Sequence, residues 1–310
     1  MEYTDFFGKR ISLFTLGTAQ LNQKYGISNS SKIPDIESVN KILDTCVQNG
    51  INSFDTAPMY ADSEILLGNY FQECDHSEII TTKIPKIDIS QNNFDDIYNV
   101  LHTQIMNSLQ RLQLESLPVC LLHDTSNMTS NDGLIIDCLE KLKEEKLIQK
   151  IGVSTYTPED VEYFLAIDKF DIIQLPLNIF DTRLIQKKLI EKLYLKNTVI
   201  FARSIFLQGL LLMDSSKLSP KLEKTSLLLE TLSNLSQEYD MAINELAFNF
   251  VRSVKGISSI VIGCDNISQL QQNLSLLETE PLSSKIQNQI LNTFSDIEEE
   301  IINPSLWSNN

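Results

Sequence analysis

Residues 117–153 read LPVCLLHDTSNMTSNDGLIIDCLEKLKEEKLIQKIGV. The stretch opens with a short apolar run, Leu117 to His123, and closes with another, Ile148 to Val153. Between them Leu134, Ile135, Cys138, Leu139 and Leu142 recur on one helical face. Two strands joined through a helix run parallel, because a parallel pair needs a long crossover. This unit predicts an α/β fold, and the rest of the chain repeats it.

Six further runs read as strands: Ser12 to Leu16, Ile51 to Asp55, Glu78 to Lys83, Asp171 to Leu175, Thr198 to Ala202 and Ser258 to Ile262. Helical periodicity lies between them, as in Ile97, Val100, Leu101, Ile105, Leu109 and Leu112. Asn49-Gly50 stops the first helix with a left-handed residue, and Thr157-Pro158 starts another with an N-cap and a first-turn proline. The strands are continuous apolar runs, as expected when both sheet faces are covered. Eight such units closing on themselves make a TIM (β/α)8 barrel, with a C-terminal helix carrying Ile286, Ile290, Phe294, Ile297 and Ile301 across its wall. Leu306 and Trp307 are expected beneath that helix, while Asn92 to Asp96 and Lys217 to Lys224 read as surface loops. An open doubly wound sheet would want a G-x-G-x-x-G turn after the first strand, and Leu16-Gly17-Thr18-Ala19 is not one. No Pro/Gly/Ser-rich linker divides the chain, so residues 1–310 read as one domain.

Composition narrows the function. Apolar residues at 42% and charged ones at 21% exclude a disordered chain, a collagen and a coiled coil. No apolar run approaches the roughly 18 residues of a membrane span, and MEYTDFFGKR lacks the basic and apolar regions of a signal peptide. Five scattered cysteines without a C-x-x-C pair read as buried thiols in a reducing cytoplasm. The net charge of −16 disfavours nucleic-acid or anionic-membrane partners, though not a local basic pocket. A monomer is the default reading, because no long exposed apolar stripe is evident.

The ionisable residues that end the strands point to a site. Asp55 closes the second strand, Lys83 the third and His123 the fourth, so all three fall together on the C-terminal face of a barrel, where active sites lie. Tyr60 follows Asp55 by five residues. Singly, such residues are more often caps or solvated charges; their agreement at three successive strand ends predicts a catalytic group. A phenol is a poor acid at neutral pH until a nearby ammonium stabilises its phenolate. Asp55 would keep Lys83 charged, and His123 would orient a substrate carbonyl. The set suits proton transfer coupled to hydride transfer. It does not suit zinc, since Lys is no ligand and only one His is present, so no metal is expected. His76 and His102 read as structural.

Across nearly its whole length the sequence resembles the aldo-keto reductases. Phe54-Asp55-Thr56-Ala57-Pro58-Met59-Tyr60-Ala61-Asp62-Ser63-Glu64, with Leu67-Gly68, is similar to the family's D-T-A-x-x-Y-G-x-S-E…L-G signature, and Thr82-Lys83, Leu122-His123-Asp124, Gly152-Val153-Ser154 and Gln208-Gly209-Leu210 follow in order. The resemblance implies a nicotinamide cofactor, with Tyr60 as general acid/base supported by Lys83, Asp55 and His123. It implies Ser154 and Gln174 at the nicotinamide carboxamide, Ser204, Phe206 and Gln208 around the pyrophosphate, and Gly263, Cys264, Gln269 and Asn273 at the adenosine. Three positions depart from the pattern: Thr155 replaces Asn, Ala61 replaces Gly, and Arg203 replaces the aromatic that stacks on nicotinamide. The segment Gly263 to Gln269 has no basic residue to meet a 2′-phosphate and one carboxylate, Asp265, which favours NAD(H) over NADP(H). Tyr25, Met59, Leu177, Asn178, Phe180 and Phe206 are expected to line the substrate, a small aldehyde, ketone or sugar carbonyl. A cofactor-binding subunit or sensor without catalysis is the alternative; a Schiff-base lyase at Lys83 is disfavoured because Asp55 would hold the amine protonated.

Overall fold

A computed structural model describes residues 1–23, 26–27, 33–72, 78–87 and 93–307, apart from the side chain of Asn131. Eight parallel strands close into a barrel: β3 (Phe14–Gly17), β4 (Ser53–Asp55), β5 (Ile79–Ile84), β6 (Leu117–Leu122), β7 (Ile148–Ser154), β8 (Ile172–Pro176), β9 (Val199–Arg203) and β10 (Ser259–Gly263), the last pairing back onto β3. Helices ring the outside, and the chain is a TIM barrel with added C-terminal helices. Along each strand alternate side chains face the lumen and the helices. In β4, Phe54 faces outward against Phe71 of the helix Ser63–Phe71, ring centroids 4.9 Å apart, while Ser53 and Asp55 face inward. The helix Phe94–Leu112 turns Ile97, Leu101, Ile105, Leu109 and Leu112 into the layer between helices and strands.

Local signals hold where the sequence places them. Asn49 ends the helix Ile36–Gln48, and Gly50 follows at φ +79°. Thr157 and Asp160 cap the helix Pro158–Ala166 reciprocally. No helix among the described residues is long and apolar enough to cross a membrane. Cys46, Cys120, Cys138 and Cys264 are buried and unpaired; Cys74 and His76 lie outside the described residues.

Four expectations need correction. Residues 12–16 are not one strand. Ser12 ends β2 (Lys9–Ser12), which pairs antiparallel with β1 (Tyr3–Phe6), and β3 begins only at Phe14. The hairpin turns through Phe7 and Gly8, both at positive φ, as a two-residue turn between twisted strands requires. Its Phe6 and Ile11 pack with Ile79, Val119, Leu121, Ile172, Val199 and Phe201, and so plug the N-terminal mouth of the barrel. Second, Phe94 to Asp96 belong to a helix rather than a loop, because the Asn93 side chain caps it by accepting from the Asp96 amide at 2.9 Å. Third, Lys217 to Lys224 falls partly in two short 3-10 turns, Ser215–Lys217 and Pro220–Thr225, where Leu222 is buried. Fourth, the C-terminal helix runs only over Ser284–Thr293; Phe294 packs on Phe180, and a separate turn, Glu299–Ile302, follows. Leu306 is exposed, whereas the Trp307 indole donates to the Glu300 carbonyl at 2.9 Å.

Candidate active site

The C-terminal ends of β4 and β5 bring opposite charges together out of water. Lys83 Nζ donates to both Asp55 carboxylate oxygens at 2.8 Å and to the Thr56 carbonyl at 2.9 Å. Gln174, on β8, donates to Asp55 Oδ1 at 2.7 Å, and Ser154, on β7, donates to Gln174 Oε1 at 3.3 Å. Burying an ion pair costs desolvation that only close, saturated geometry offsets. Here both partners have that geometry.

Tyr60 stands on the turn between β4 and the next helix. Its amide donates to the Ala57 carbonyl at 3.0 Å, and Ala61 takes φ +47°, the left-handed conformation a glycine adopts without strain. The Lys83 ammonium lies 5.0 Å from the centre of the Tyr60 ring. His123, just past β6, meets that ring edge-on at 5.9 Å between centroids. Burial, reinforced by the positive charges of Lys83 and Arg203, pulls the His123 pKa down to about 3, against a smaller opposing effect of Asp124. The imidazole is neutral at physiological pH and can offer one N–H. Behind this group, Glu64 accepts from Thr82 at 2.5 Å and from Arg111 Nε at 2.6 Å, tying the helix after Tyr60 to the strand that carries Lys83.

Asp55 and Tyr60 face a cavity of about 340 Å³, together with Gln174, Arg203, Ser204, Phe206, Gln208, Gly263, Asp265, Gln269 and Asn273. Ser154 joins through Gln174, and Lys83 lies behind Asp55 and Tyr60. Four residues expected against the substrate are not on the cavity wall, among them Leu177, which is buried. Met59 is exposed and apart from the cavity. Asn178 is buried one hydrogen bond behind the wall, donating to the Ser204 carbonyl at 3.2 Å and accepting from the amides of Phe180 and Asp181, while Phe180 packs on Phe294. Tyr25 lies outside the described residues. The cavity also takes in Gln20, Asn244 and Gln272, which the sequence reading missed. Gln272 was within reach, since it shares a helix face with Gln269 and Asn273.

The walls fit a dinucleotide. Ser204, Leu207, Gln208 and Gly209 take φ of 59°, 49°, 53° and 93°, a run of left-handed residues that curls the backbone around one side of the cavity. Such strain in non-glycine residues gathers where a backbone must grip a ligand. At Gly263 the Gln20 side chain fills the space of a Cβ, its Oε1 1.9 Å from that position, and would have to swing aside for any larger residue. Asn266 caps the helix Ile267–Ser275, whose N-terminus begins beside Gly263 and Asp265. Among the described residues no three His, Cys, Asp or Glu side chains gather as metal ligands.

The family model for "Aldo/keto reductase family" matches residues 14–292. The chain belongs to that family. An uncharacterized oxidoreductase, YqkF, of Bacillus subtilis is 23% identical, over 87% of this chain and 92% of its own length. L-galactose dehydrogenase of Arabidopsis thaliana is 25% identical, over 96% and 93%. In structure the chain is similar to the holo form of aldo-keto reductase AKR11C1 from Bacillus halodurans, with a TM-score of 0.74 and 20% identity, covering 95% of this chain and 96% of that one. As an aldo-keto reductase the chain is an oxidoreductase of the generic NAD(P)(H)-dependent kind. Two of its departures from the family pattern make defined contacts. The Thr155 amide donates to the Gln174 carbonyl at 2.8 Å, and Arg203 reaches the Thr155 carbonyl at 2.8 Å.

Proposed function

We propose that this aldo-keto reductase reduces an aldehyde, ketone or sugar carbonyl, or oxidises the corresponding alcohol, with Tyr60 as general acid/base. The observation that carries the reading is the buried Lys83–Asp55 pair beneath the Tyr60 ring at the wall of the cavity. A reduced nicotinamide held at this wall would be the source of hydride for the carbonyl carbon. Tyr60 gives its O–H proton to the carbonyl oxygen, and the resulting phenolate is stabilised by the Lys83 ammonium until solvent returns a proton. Asp55 keeps Lys83 charged and fixed. His123, neutral, donates to the same carbonyl oxygen and orients it. Ser154 and Gln174 would hold the nicotinamide amide, the 204–209 loop the pyrophosphate, and Gln269 and Asn273 the adenosine.

The cofactor preference is NAD(H). Gly263, Asp265, Gln269, Gln272 and Asn273 present no basic side chain to a 2′-phosphate, and Asp265 would repel one by on the order of 1–3 kcal/mol. A ribose hydroxyl could donate to the same carboxylate. The name of the similar protein L-galactose dehydrogenase supports a sugar among the substrates. Assaying the purified protein on aldehydes, ketones and aldoses, with NADH and NADPH in parallel, tests both points. Turnover with a lower KM for NADH is expected. A strong NADPH preference removes the cofactor assignment, and absence of turnover with every pair removes the activity.

A further inference from the structure

We propose that Arg203 makes this site selective for the reduced over the oxidised form of its nicotinamide cofactor. The inference rests on the cofactor reading above and goes beyond it to the redox state of the ring.

The argument is a count of charges at the reaction centre. Lys83 has a carboxylate partner, Asp55, at 2.8 Å. Burial holds His123 neutral at physiological pH. Arg203 is left over. Its guanidinium is always protonated, and its contacts are all to neutral groups: the Thr155 carbonyl at 2.8 Å, the Ser204 hydroxyl at 3.2 Å and the face of the Tyr156 ring at 4.5 Å. Among the described residues no carboxylate pairs with it, and its Nε is buried without a hydrogen-bond partner. It faces the same cavity as Asp55 and Tyr60, and its charge is felt at His123. The other described carboxylate on the cavity wall, Asp265, stands beyond β10, where its amide donates to Gln269. Asp124 opposes it at His123 but does not line the cavity, so among the described residues the cavity wall nearest Tyr60 carries one positive charge without an ion-pair partner.

A nicotinamide ring is neutral when reduced and cationic once hydride has left it. An adjacent guanidinium tolerates the first and repels the second, while also favouring the negative charge that grows on a carbonyl oxygen as hydride arrives. Like charges a few ångströms apart in a partly buried site differ from a charge beside a neutral ring by about tenfold or more in dissociation constant. The oxidised dinucleotide is thereby bound loosely and released after turnover.

Equilibrium titration with NADH and NAD⁺ separately, by calorimetry, tests this without reference to turnover. It is to be run on the wild type, on Arg203→Met, which keeps an unbranched stem without the charge, and on Arg203→Lys, which keeps the charge. NADH should bind the wild type at least about tenfold more tightly than NAD⁺. Arg203→Met should bring the two constants to within about threefold, and Arg203→Lys should preserve most of the difference. Equal binding of the two forms by the wild type, or an unchanged ratio in Arg203→Met, overturns the inference and leaves the cofactor reading standing. If neither dinucleotide binds the wild type, both fall. Should Arg203→Met fail to fold, the wild-type ratio and that of Arg203→Lys still decide.

Discussion

The two ends of the barrel lumen are built on the same strands and do opposite things. Two residues apart on β4, Ser53 and Asp55 both point inward. Towards the N-terminal end, Ser53 meets Thr15 at 2.7 Å and Thr15 meets Ser259 at 2.6 Å, a neutral ladder of hydroxyls above the Phe6 and Ile11 plug. At the C-terminal end, Asp55 meets an ammonium. The neutral end satisfies every hydroxyl of its ladder and contributes to stability. The charged end withdraws ions from water, which is costly unless they do chemistry.

That contrast can be broken from either side. The largest expected effect comes from Lys83→Met, which leaves the Asp55 carboxylate buried without its partner. Denaturant unfolding should show a loss of about 3–5 kcal/mol, with kcat down at least about a hundredfold. A change confined to stability would separate Lys83 from the chemistry. Next is the pH response of His123. Its folded pKa of about 3 lies below the ordinary imidazole value of 6.5, so at lower pH the unfolded chain binds a proton that the native site refuses. The stability this confers is complete above pH 6.5 and falls by up to about 1.4 kcal/mol per pH unit between there and pH 3. His123→Gln should flatten that slope when unfolding is compared at pH 7 and pH 5; an unchanged slope would place the proton elsewhere. The smallest effect belongs to the neutral end. Thr15→Val strands the Ser53 hydroxyl and should cost about 1–2 kcal/mol while leaving kcat/KM at its wild-type value. Lost activity in that variant would mean that the two ends are coupled.

The sequence made the charged end legible because ionisable residues at the ends of apolar runs are conspicuous, and strand order then sets them side by side. Asp55, Lys83 and His123 needed no more than that. The neutral end was hidden. Tyr3–Phe6 and Lys9–Ser12 are too short and too polar to read as strands, although Gly8 marks their turn. Asn178 and Phe180 looked like substrate contacts because their loop follows β8. Asn178 closes a local turn by accepting from the Phe180 and Asp181 amides, but the packing of Phe180 on Phe294 is long-range and is not written in local pattern. The same holds for the break after Thr293, where the apolar spacing continues but the helix does not.

Tyr60→Phe removes one oxygen and leaves the ring, the Lys83–Asp55 pair and the cavity in place. Steady-state turnover and NADH titration on that single variant bear most directly on the proposed chemistry. kcat should fall at least about a hundredfold while the dissociation constant for NADH stays within about threefold of wild type. Near-normal turnover with intact cofactor binding would contradict it.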